Sequence, residues 1–156
     1  NGVAAGAGMN LALACDLIVA SDQARFSEIF ARRGLSVDFG GTWILPRLIG
    51  LHKAKELAFF ADVISAADGE RFGFVNKVVP HAELDSVVDD WAGRLAAGAP
   101  LALAMTKRML TLNATADFAS ALQSESLSQT VNFGTSDTRE AVQAFLDKRP
   151  PVFHGR

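Results

Sequence analysis

The sequence is poor in cysteine, in charge of one sign and in long apolar runs. Cys15 is its one cysteine, which excludes an intramolecular disulfide framework and a multi-cysteine metal site, and we interpret it as a small buried residue. The formal net charge of -2 and the pI of about 5.9 exclude a strongly basic nucleic-acid-binding protein. Charged residues interrupt every apolar run, so we expect no transmembrane helix.

Several motifs of catalysis and nucleotide binding are also absent. The sequence has no Gly-x-x-x-x-Gly-Lys-Ser/Thr phosphate loop, no Gly-x-Ser-x-Gly nucleophile turn and no His-Glu-x-x-His metal motif. Gly6-x-Gly8 lacks the third glycine of a dinucleotide fingerprint. The three histidines are far apart and flanked like surface residues, which disfavours a metal or triad role for them.

What is present suits one globular domain, or a large part of one, because 49% of the 156 residues are hydrophobic and 21% are charged. The chain begins at Asn1 with no methionine and no signal segment, and small apolar residues follow at once. We therefore expect an upstream segment that contributes to the fold. Nothing indicates export, so we expect a cytoplasmic protein.

The pattern along the chain predicts few strands and many helices. Residues 2–8 are typical of a glycine and alanine turn that leads into a helix over residues 9–15, and residues 27–41 are typical of a loop. Residues from Thr42 onward are mostly helical, with a capping box at Ser65-Ala66-Ala67-Asp68. The remaining predictions are strands at 17–20, 24–26 and 74–79, and helices at 53–61, 81–97, 100–112, 115–133 and from Asp137, which we expect to cap the last one.

The turn Gly6-Ala7-Gly8 is the first candidate site. Small residues let another molecule approach the backbone, and the first N–H groups of the following helix have no partner within it. Such N–H groups bind a phosphate, or the oxygen of an enolate that forms from a thioester. The alternative is a tight turn that packs against a neighbouring helix.

Asp38, between Val37 and Phe39, is the second candidate. Apolar surroundings would raise the pKa of this carboxyl group towards the range of a general base. The alternative is that Asp38 caps the helix that follows it.

Taken together, these features resemble the later part of an enoyl-CoA hydratase/isomerase, a member of the crotonase superfamily. The resemblance covers essentially the whole chain, in order and at the family's spacings. The matching stretches are Asn1-Gly2-x-Ala4-x-Gly6-x-Gly8, Leu11-Ala12-x-x-Cys15-Asp16-Leu17-Ile18-x-Ala20, Phe26, Gly34-Leu35, Gly40-Gly41-Thr42-Trp43, Leu45-Pro46-Arg47-x-x-Gly50, Ile64-Ser65-Ala66, Gly73-Phe74-Val75-Asn76-Lys77-Val78-Val79 and Ala144-Phe145-Leu146-Asp147-Lys148-Arg149-Pro150.

The resemblance implies an α/β fold of the crotonase (ClpP/crotonase) type. Residues 1–80 would form the later part of its core, including the helix that binds the oxyanion, and residues 81–156 a C-terminal helical region. In this family two backbone N–H groups polarise the thioester carbonyl of an acyl-CoA, and one of them matches Ala7, flanked by Gly6 and Gly8. The other would belong to the upstream segment.

The hydratases of the family add water with two glutamates, and this sequence departs from that pattern. The first glutamate position matches Asn10, and ungapped counting from Phe26 puts the second at Phe30. Glu28 lies near the second position, but the spacing does not require it in the site.

Asp38 matches a position where some relatives carry an acidic residue, and isomerases of the phenylacetate-degradation type resemble this segment closely. The resemblance therefore implies an enzyme of acyl-CoA (fatty acid) metabolism that isomerises an enoyl-CoA double bond, with Asp38 as proton shuttle. The alternatives are a hydratase that uses Glu28, an enzyme with Asp38 as nucleophile, and a non-catalytic acyl-CoA-binding or assembly subunit.

The resemblance also implies the binding partners. No metal or redox cofactor is expected, since CoA is part of the acyl-CoA thioester substrate. Phe145 and Lys148, three residues apart on the last helix, would pack on the adenine and meet the phosphates of CoA. Relatives assemble as trimers or dimers of trimers, so we expect a homo-oligomer with apolar residues of the 115–133 helix in its interface, and we expect residues 1–156 alone to be inactive and prone to aggregate.

Overall fold

The chain alternates short strands with helices in its first half and is helical in its second. We describe a computed structural model that covers residues 1–156. The strands are β1 (Val3–Ala5), β2 (Val19–Ser21), β3 (Arg25–Ser27), β4 (Ile64–Ser65) and β5 (Lys77–Val79). The helices are α1 (Ala7–Leu13), α2 (Gly41–Ile49), α3 (Leu51–Phe60), α4 (Ala66–Phe72), α5 (Leu84–Ala96), α6 (Pro100–Asn113), α7 (Phe118–Phe133) and α8 (Ser136–Leu146), with 3₁₀ turns at Ile29–Arg33 and His81–Glu83.

The residues divide into two compact units, Asn1–Asp89 and Asp90–Arg156. In the first unit, β3 lies between β1 and β4 and pairs parallel with β1 and antiparallel with β4. A second sheet consists of β2 and β5, which run parallel. Each helix is too short or too polar to span a lipid bilayer.

The core of the first unit lies between the strands and α1 to α4. Phe26 of β3 and Phe74 pack edge to face, with ring centroids 5.2 Å apart. Gly69 in α4 leaves room for this pair, because a Cβ atom there would lie 2.8 Å from the Phe74 ring. The buried cluster consists of Met9, Leu13, Ala20, Ala24, Phe26, Leu45, Ala54, Ala66, Phe74 and Val75.

In the second unit, the C-terminal tail binds the first turns of α8. The buried Asp137 carboxylate accepts hydrogen bonds from the backbone N–H groups of His154 and Gly155, both at 2.8 Å. Glu140 forms an ion pair with Arg149. Thr135, not Asp137, caps α8 through its side chain, so the expected cap is wrong by two residues.

Several other predictions differ from the structure at the level of single elements. Residues 3–5 form a strand where we expected only a turn, because they pair with β3. Cys15 is exposed and not buried, since it lies beyond the end of α1. The predicted strand at 74–79 is confined to β5, because the N–H groups of Phe74 and Val75 donate to the Gly69 carbonyl of α4 and not to a neighbouring strand.

Candidate active site

The turn between β1 and α1 presents free backbone N–H groups. Gly6 adopts φ 55° and ψ -128°, a conformation that glycine enters and other residues avoid. Its N–H donates to the Ser27 carbonyl at 2.9 Å, which ties the turn to the end of β3. The first helical hydrogen bond of α1 runs from the Asn10 N–H to the Gly6 carbonyl, so the N–H groups of Ala7 and Gly8 have no acceptor within the helix. Ala7 and Gly8 are exposed, and an oxygen atom of a ligand could reach them.

Glu28 follows β3 directly and lies in the interior. Because β1 and β3 are parallel, with Ala5 opposite Ser27, the residues that follow the two strands come together. Glu28 is 1% exposed, and its Oε1 atom has no hydrogen-bond partner. Its Oε2 atom accepts a hydrogen bond from Asn10 Nδ2 at 3.4 Å.

Asn10 connects Glu28 to the segment that precedes α2. It is fully buried in α1, and its Nδ2 atom also donates to the Asp38 carbonyl at 3.0 Å. Gly41, the first residue of α2, packs directly on this amide. A Cβ atom at Gly41 would lie 2.3 Å from Asn10 Nδ2, so this position has no room for a side chain.

Asn10, Glu28 and Asp38 form one cluster, and Asp38 lies at its surface. Its carbonyl accepts hydrogen bonds from Asn10 Nδ2 and from the Gly41 N–H, the latter at 3.0 Å, and its side chain is exposed. Gly40 is the N-cap of α2 and no side chain caps this helix, so the interpretation of Asp38 as a cap is wrong. Phe39, next to Asp38, has a φ of 53°, a left-handed conformation that costs a bulky residue about 1–2 kcal/mol.

The two acidic residues of the cluster differ in their electrostatic environment. Burial raises the pKa of the Glu28 carboxyl group from 4.5 to about 7, the Asn10 hydrogen bond opposes this rise, and the charge of Asp38 adds to it. We expected a buried carboxyl group at Asp38, but its side chain is exposed, and the buried carboxyl group is that of Glu28. A carboxyl group with a pKa near 7 holds or releases a proton at neutral pH.

The predicted site residues fall into two groups. Gly6, Ala7, Gly8 and Asp38 belong to the first unit, where Asn10 links α1 to the Asp38 segment. Phe145 and Lys148 belong to the second unit and are exposed, Phe145 by 82%. Their expected common helix face is wrong, because α8 ends at Leu146 and Lys148 follows with a φ of 54°. The roles of all six residues stay predictions.

Asn10 and Glu28 are the site residues that sequence reasoning undervalued. Asn10 stands where the family resemblance puts a glutamate, and it was considered only as a missing acid. Glu28 lies between Phe26 and Phe30, both buried, and a lone carboxylate among apolar residues is the available signal of a desolvated acid.

An apolar cavity of about 520 Å³ also lies in the first unit, within the size range of small-molecule sites. Its walls come from α2, α3 and the segment before α2, including Val37, Gly41 and Leu45. No three histidine, cysteine, aspartate or glutamate side chains lie close enough to hold a metal ion.

Comparison with known proteins identifies the family. The enoyl-CoA hydratase/isomerase family matches residues 1–156. The chain belongs to this family. Its crotonase-like α/β fold is confirmed by the structure of an enoyl-CoA hydratase from Bacillus anthracis, with a TM-score of 0.97 and 34% identity over 100% of this chain and 60% of that one.

Curated relatives of this enoyl-CoA hydratase/isomerase family member have more than one activity in their names. A short-chain-enoyl-CoA hydratase of Clostridium acetobutylicum is 38% identical over 96% of this chain and 57% of its own length. The 1,2-epoxyphenylacetyl-CoA isomerase of Escherichia coli K12 is 36% identical over 100% of this chain and 60% of its own length. The chain thus spans about three fifths of the length of these relatives, which include both hydratases and isomerases.

Proposed function

We propose that the protein acts on acyl-CoA thioesters and isomerises the double bond of an enoyl-CoA. In this proposal Asp38 is the proton shuttle, and the Ala7 N–H is one donor of the oxyanion hole. The family membership of the chain supports the substrate class. The proposed path uses no metal or redox cofactor, and CoA is part of the substrate.

The observation on which this proposal depends is the difference in access between the two acidic residues. Asp38 is exposed, whereas Glu28 is 1% exposed. Asn10 stands at the position where the family resemblance puts a glutamate. Hydration needs both a base for the water and an acid for carbon. Isomerisation needs one accessible carboxylate, because the same group removes the proton and returns it.

The proposed reaction moves one proton from C2 to C4 and the double bond from C3–C4 to C2–C3. The Asp38 carboxylate takes a proton from C2 of a 3-enoyl-CoA. The electrons of that C–H bond form a double bond between C1 and C2, and the π electrons of the carbonyl move onto the thioester oxygen. The Ala7 N–H stabilises the resulting enolate, and loss of a donor of this kind typically costs about 10² to 10³ in rate. Asp38 then returns the proton to C4. The π electrons between C3 and C4 form the new C–H bond, those between C1 and C2 shift to C2 and C3, and the electron pair on oxygen restores the carbonyl.

A hydratase is the second candidate, and one observation favours it. Burial raises the pKa of Glu28 to about 7, which is in the range useful to a general acid or base. Glu28 also lies beside Asn10 in the same cluster. For this activity water and substrate would have to reach a carboxyl group that is 1% exposed.

Incubation of the complete protein with 3-enoyl-CoA and, separately, with 2-enoyl-CoA tests these alternatives. Migration of the double bond without formation of a 3-hydroxyacyl-CoA is the result we expect. Hydration of 2-enoyl-CoA would favour the Glu28 hydratase. Binding without turnover would indicate a non-catalytic subunit, and a covalent Asp38 adduct would indicate a nucleophilic enzyme.

The finer features of the substrate complex belong to this proposal as well. Phe145 would pack on the adenine of CoA and Lys148 would meet its phosphates, and the complete protein would be a trimer or a dimer of trimers. Exposed apolar side chains on α7, such as Phe118 at 78% exposure, support an interface on that helix.

A further inference from the structure

We propose that Glu28 is a positioning residue for Asp38 and acts through the side-chain amide of Asn10. The inference rests on the proposed function, because it assigns Glu28 a part in holding the proton shuttle. Glu28 itself transfers no proton in this scheme. Its part is to fix the orientation of an amide that holds the Asp38 backbone.

The hydrogen bonds of Asn10 carry the inference. Its Nδ2 group has two hydrogens, and they point to two acceptors: the Asp38 carbonyl at 3.0 Å and Glu28 Oε2 at 3.4 Å. The Gly41 N–H donates to the same Asp38 carbonyl at 3.0 Å. The backbone of Asp38 is therefore held from α1 by a side chain and from α2 by the main chain.

The Asp38 carbonyl and Glu28 together fix the orientation of the Asn10 amide. An amide rotated by 180° would put Oδ1 against the Asp38 carbonyl, where two acceptors would repel each other. The packing of Gly41 against the amide limits its position but does not distinguish nitrogen from oxygen, because Gly41 presents no side chain there. The two acceptors distinguish them, since the Asp38 carbonyl and an accepting oxygen of Glu28 both require the amide nitrogen on their side.

The charges around Glu28 favour a neutral acid in this role. Neither β1 nor α1 contains a charged residue. On the 3₁₀ turn, Arg32 and Arg33 are exposed, and Arg32 pairs with Asp62. On α2, Arg47 stacks over Trp43.

Arg25 of β3 is exposed and donates to backbone carbonyls, which leaves the charged residues of α3 and the Asp38 carboxylate. On α3, Lys53 pairs with Glu56, and His52 and Lys55 are exposed. Asp38 acts on Glu28 directly and opposes its ionisation. A protonated Glu28 accepts from Asn10 through one oxygen without adding a second negative charge beside Asp38.

Two kinds of substitution in the complete protein separate positioning from proton transfer. Glu28→Gln keeps an uncharged acceptor for Asn10. Glu28→Ala and Asn10→Ala each remove one partner of the hydrogen bond between Asn10 and Glu28. At pH 6 we expect Glu28→Gln to keep kcat within roughly threefold of the wild type, and the two alanine variants to lose about tenfold or more in kcat with KM changed less than about twofold. Glu83→Gln, at an exposed position, is the control for loss of a glutamate charge.

The pH profile supplies a readout that a merely structural residue would not change. Ionisation of Glu28 above pH 7 adds a second negative charge to the cluster that contains Asp38. This charge opposes formation of an anionic enolate there, so kcat of the wild type should fall as pH rises through about 7. That fall should be absent in Glu28→Gln. A loss of about 100-fold in Glu28→Gln at pH 6 would mean that Glu28 transfers the proton itself and would overturn the proposal. Full activity in Asn10→Ala, or an unchanged fall near pH 7 in Glu28→Gln, would overturn it as well.

A titration that needs no activity keeps the inference separate from the proposed function. If the wild type does not isomerise enoyl-CoA, the proposed function fails, and the coupling is read from the carboxyl ¹³C signal of Glu28. We expect its midpoint to fall in Asp38→Asn, which removes the repelling charge, and to rise in Asn10→Ala, which removes the hydrogen bond. Unchanged midpoints in both variants would overturn the link between Glu28 and Asp38.

Discussion

The carboxyl groups of Glu28 and Asp38 show how the surroundings of a side chain determine the chemistry that it can perform. Asn10 binds the side chain of Glu28 and the backbone carbonyl of Asp38, so both residues belong to one cluster. Glu28 lies inside it and loses its hydration, while Asp38 points out towards solvent. Residue type alone therefore does not indicate which acid meets a substrate.

Replacement of Asp38 by asparagine tests the proton shuttle. Asp38→Asn keeps the size of the side chain and leaves the backbone carbonyl that Asn10 and Gly41 hold, but the amide cannot accept a proton as a carboxylate does. We expect kcat to fall by roughly 10² or more with the thermal midpoint nearly unchanged. Asp89→Asn, an exposed position on α5, should leave kcat intact, and near-wild-type turnover in Asp38→Asn would remove Asp38 from the mechanism.

The raised pKa of Glu28 makes the free energy of unfolding depend on pH. Between pH 4.5 and about 7 the folded protein retains the Glu28 proton while the unfolded chain releases it, so stability falls as pH rises. The loss is on the order of 3 kcal/mol across this range and is complete above the folded-state value. Denaturation curves of wild type and Glu28→Gln from pH 4.5 to 8 measure it. The free energy of unfolding of Glu28→Gln should increase relative to that of the wild type as pH rises. The same pH dependence in both proteins would contradict the raised pKa of Glu28.

At the scale of elements, local signals predicted the helices, and pairing between distant segments determined the rest. Ser65 begins α4 with the predicted capping box, and Pro100 is the first residue of α6, because both effects act within one turn. Strand β1 was missed, since its three small residues become a strand only by pairing with β3.

The candidate site follows the same division. The Gly6 turn and Asp38 could be predicted from short motifs and family resemblance. The contact of Asn10 with Glu28 could not, because these residues are 18 positions apart and meet only after the strands have paired. Ungapped counting from Phe26 put the family's second glutamate position at Phe30. The buried carboxyl group of this segment is that of Glu28, two residues earlier.

The capping box of α4 is a further test at this scale. The Ser65 hydroxyl accepts from the Asp68 N–H at 3.1 Å, and the Asp68 carboxylate accepts from the Ser65 N–H at 3.2 Å. Ser65→Ala removes the first bond, and we expect it to lower the free energy of unfolding by about 1 kcal/mol. Urea denaturation should detect this change, with the exposed mid-helix Ser126→Ala as control. Equal losses in both variants would mean that the box contributes nothing beyond helix propensity.

At the scale of the whole molecule, the two units differ in how much apolar surface they bury. The first unit has a continuous buried cluster, whereas α6 and α7 contain no fully buried residue. Large apolar side chains of α7 are exposed, among them Phe118 at 78% and Leu127 at 63%. Exposed apolar surface of this extent is typical of a protein–protein interface.

We therefore expect light scattering of the complete protein to give the mass of a trimer or of a dimer of trimers. Leu127→Lys should shift this mass towards the monomer, because it puts an unpaired charge into the interface. Gln23→Lys, at an exposed polar position outside α7, should leave the mass unchanged. A monomeric wild type at micromolar concentration would show that α7 has no such role.

The second unit also contains the predicted contact with CoA. Lys148 is exposed, and a charge that meets phosphate contributes to binding of substrate and transition state alike. Lys148→Ala should therefore raise KM for acyl-CoA by about threefold to tenfold with little change in kcat. The exposed Lys77 supplies the control, Lys77→Ala. An unchanged KM, with acyl-pantetheine used as well as acyl-CoA, would count against this role.

The parallel pairing of β1 with β3 also determines which insertions and deletions the protein tolerates. Hydrogen bonds between the strands, not the connecting chain, bring Gly6 next to the end of β3. An extra residue in the surface turn at 22–23 would leave this register unchanged. The same insertion within β3 would move Ser27 into the place of Glu28 and carry the carboxyl group out of reach of Asn10. Length variation within the family should therefore concentrate in the turns and spare the three residues of β3.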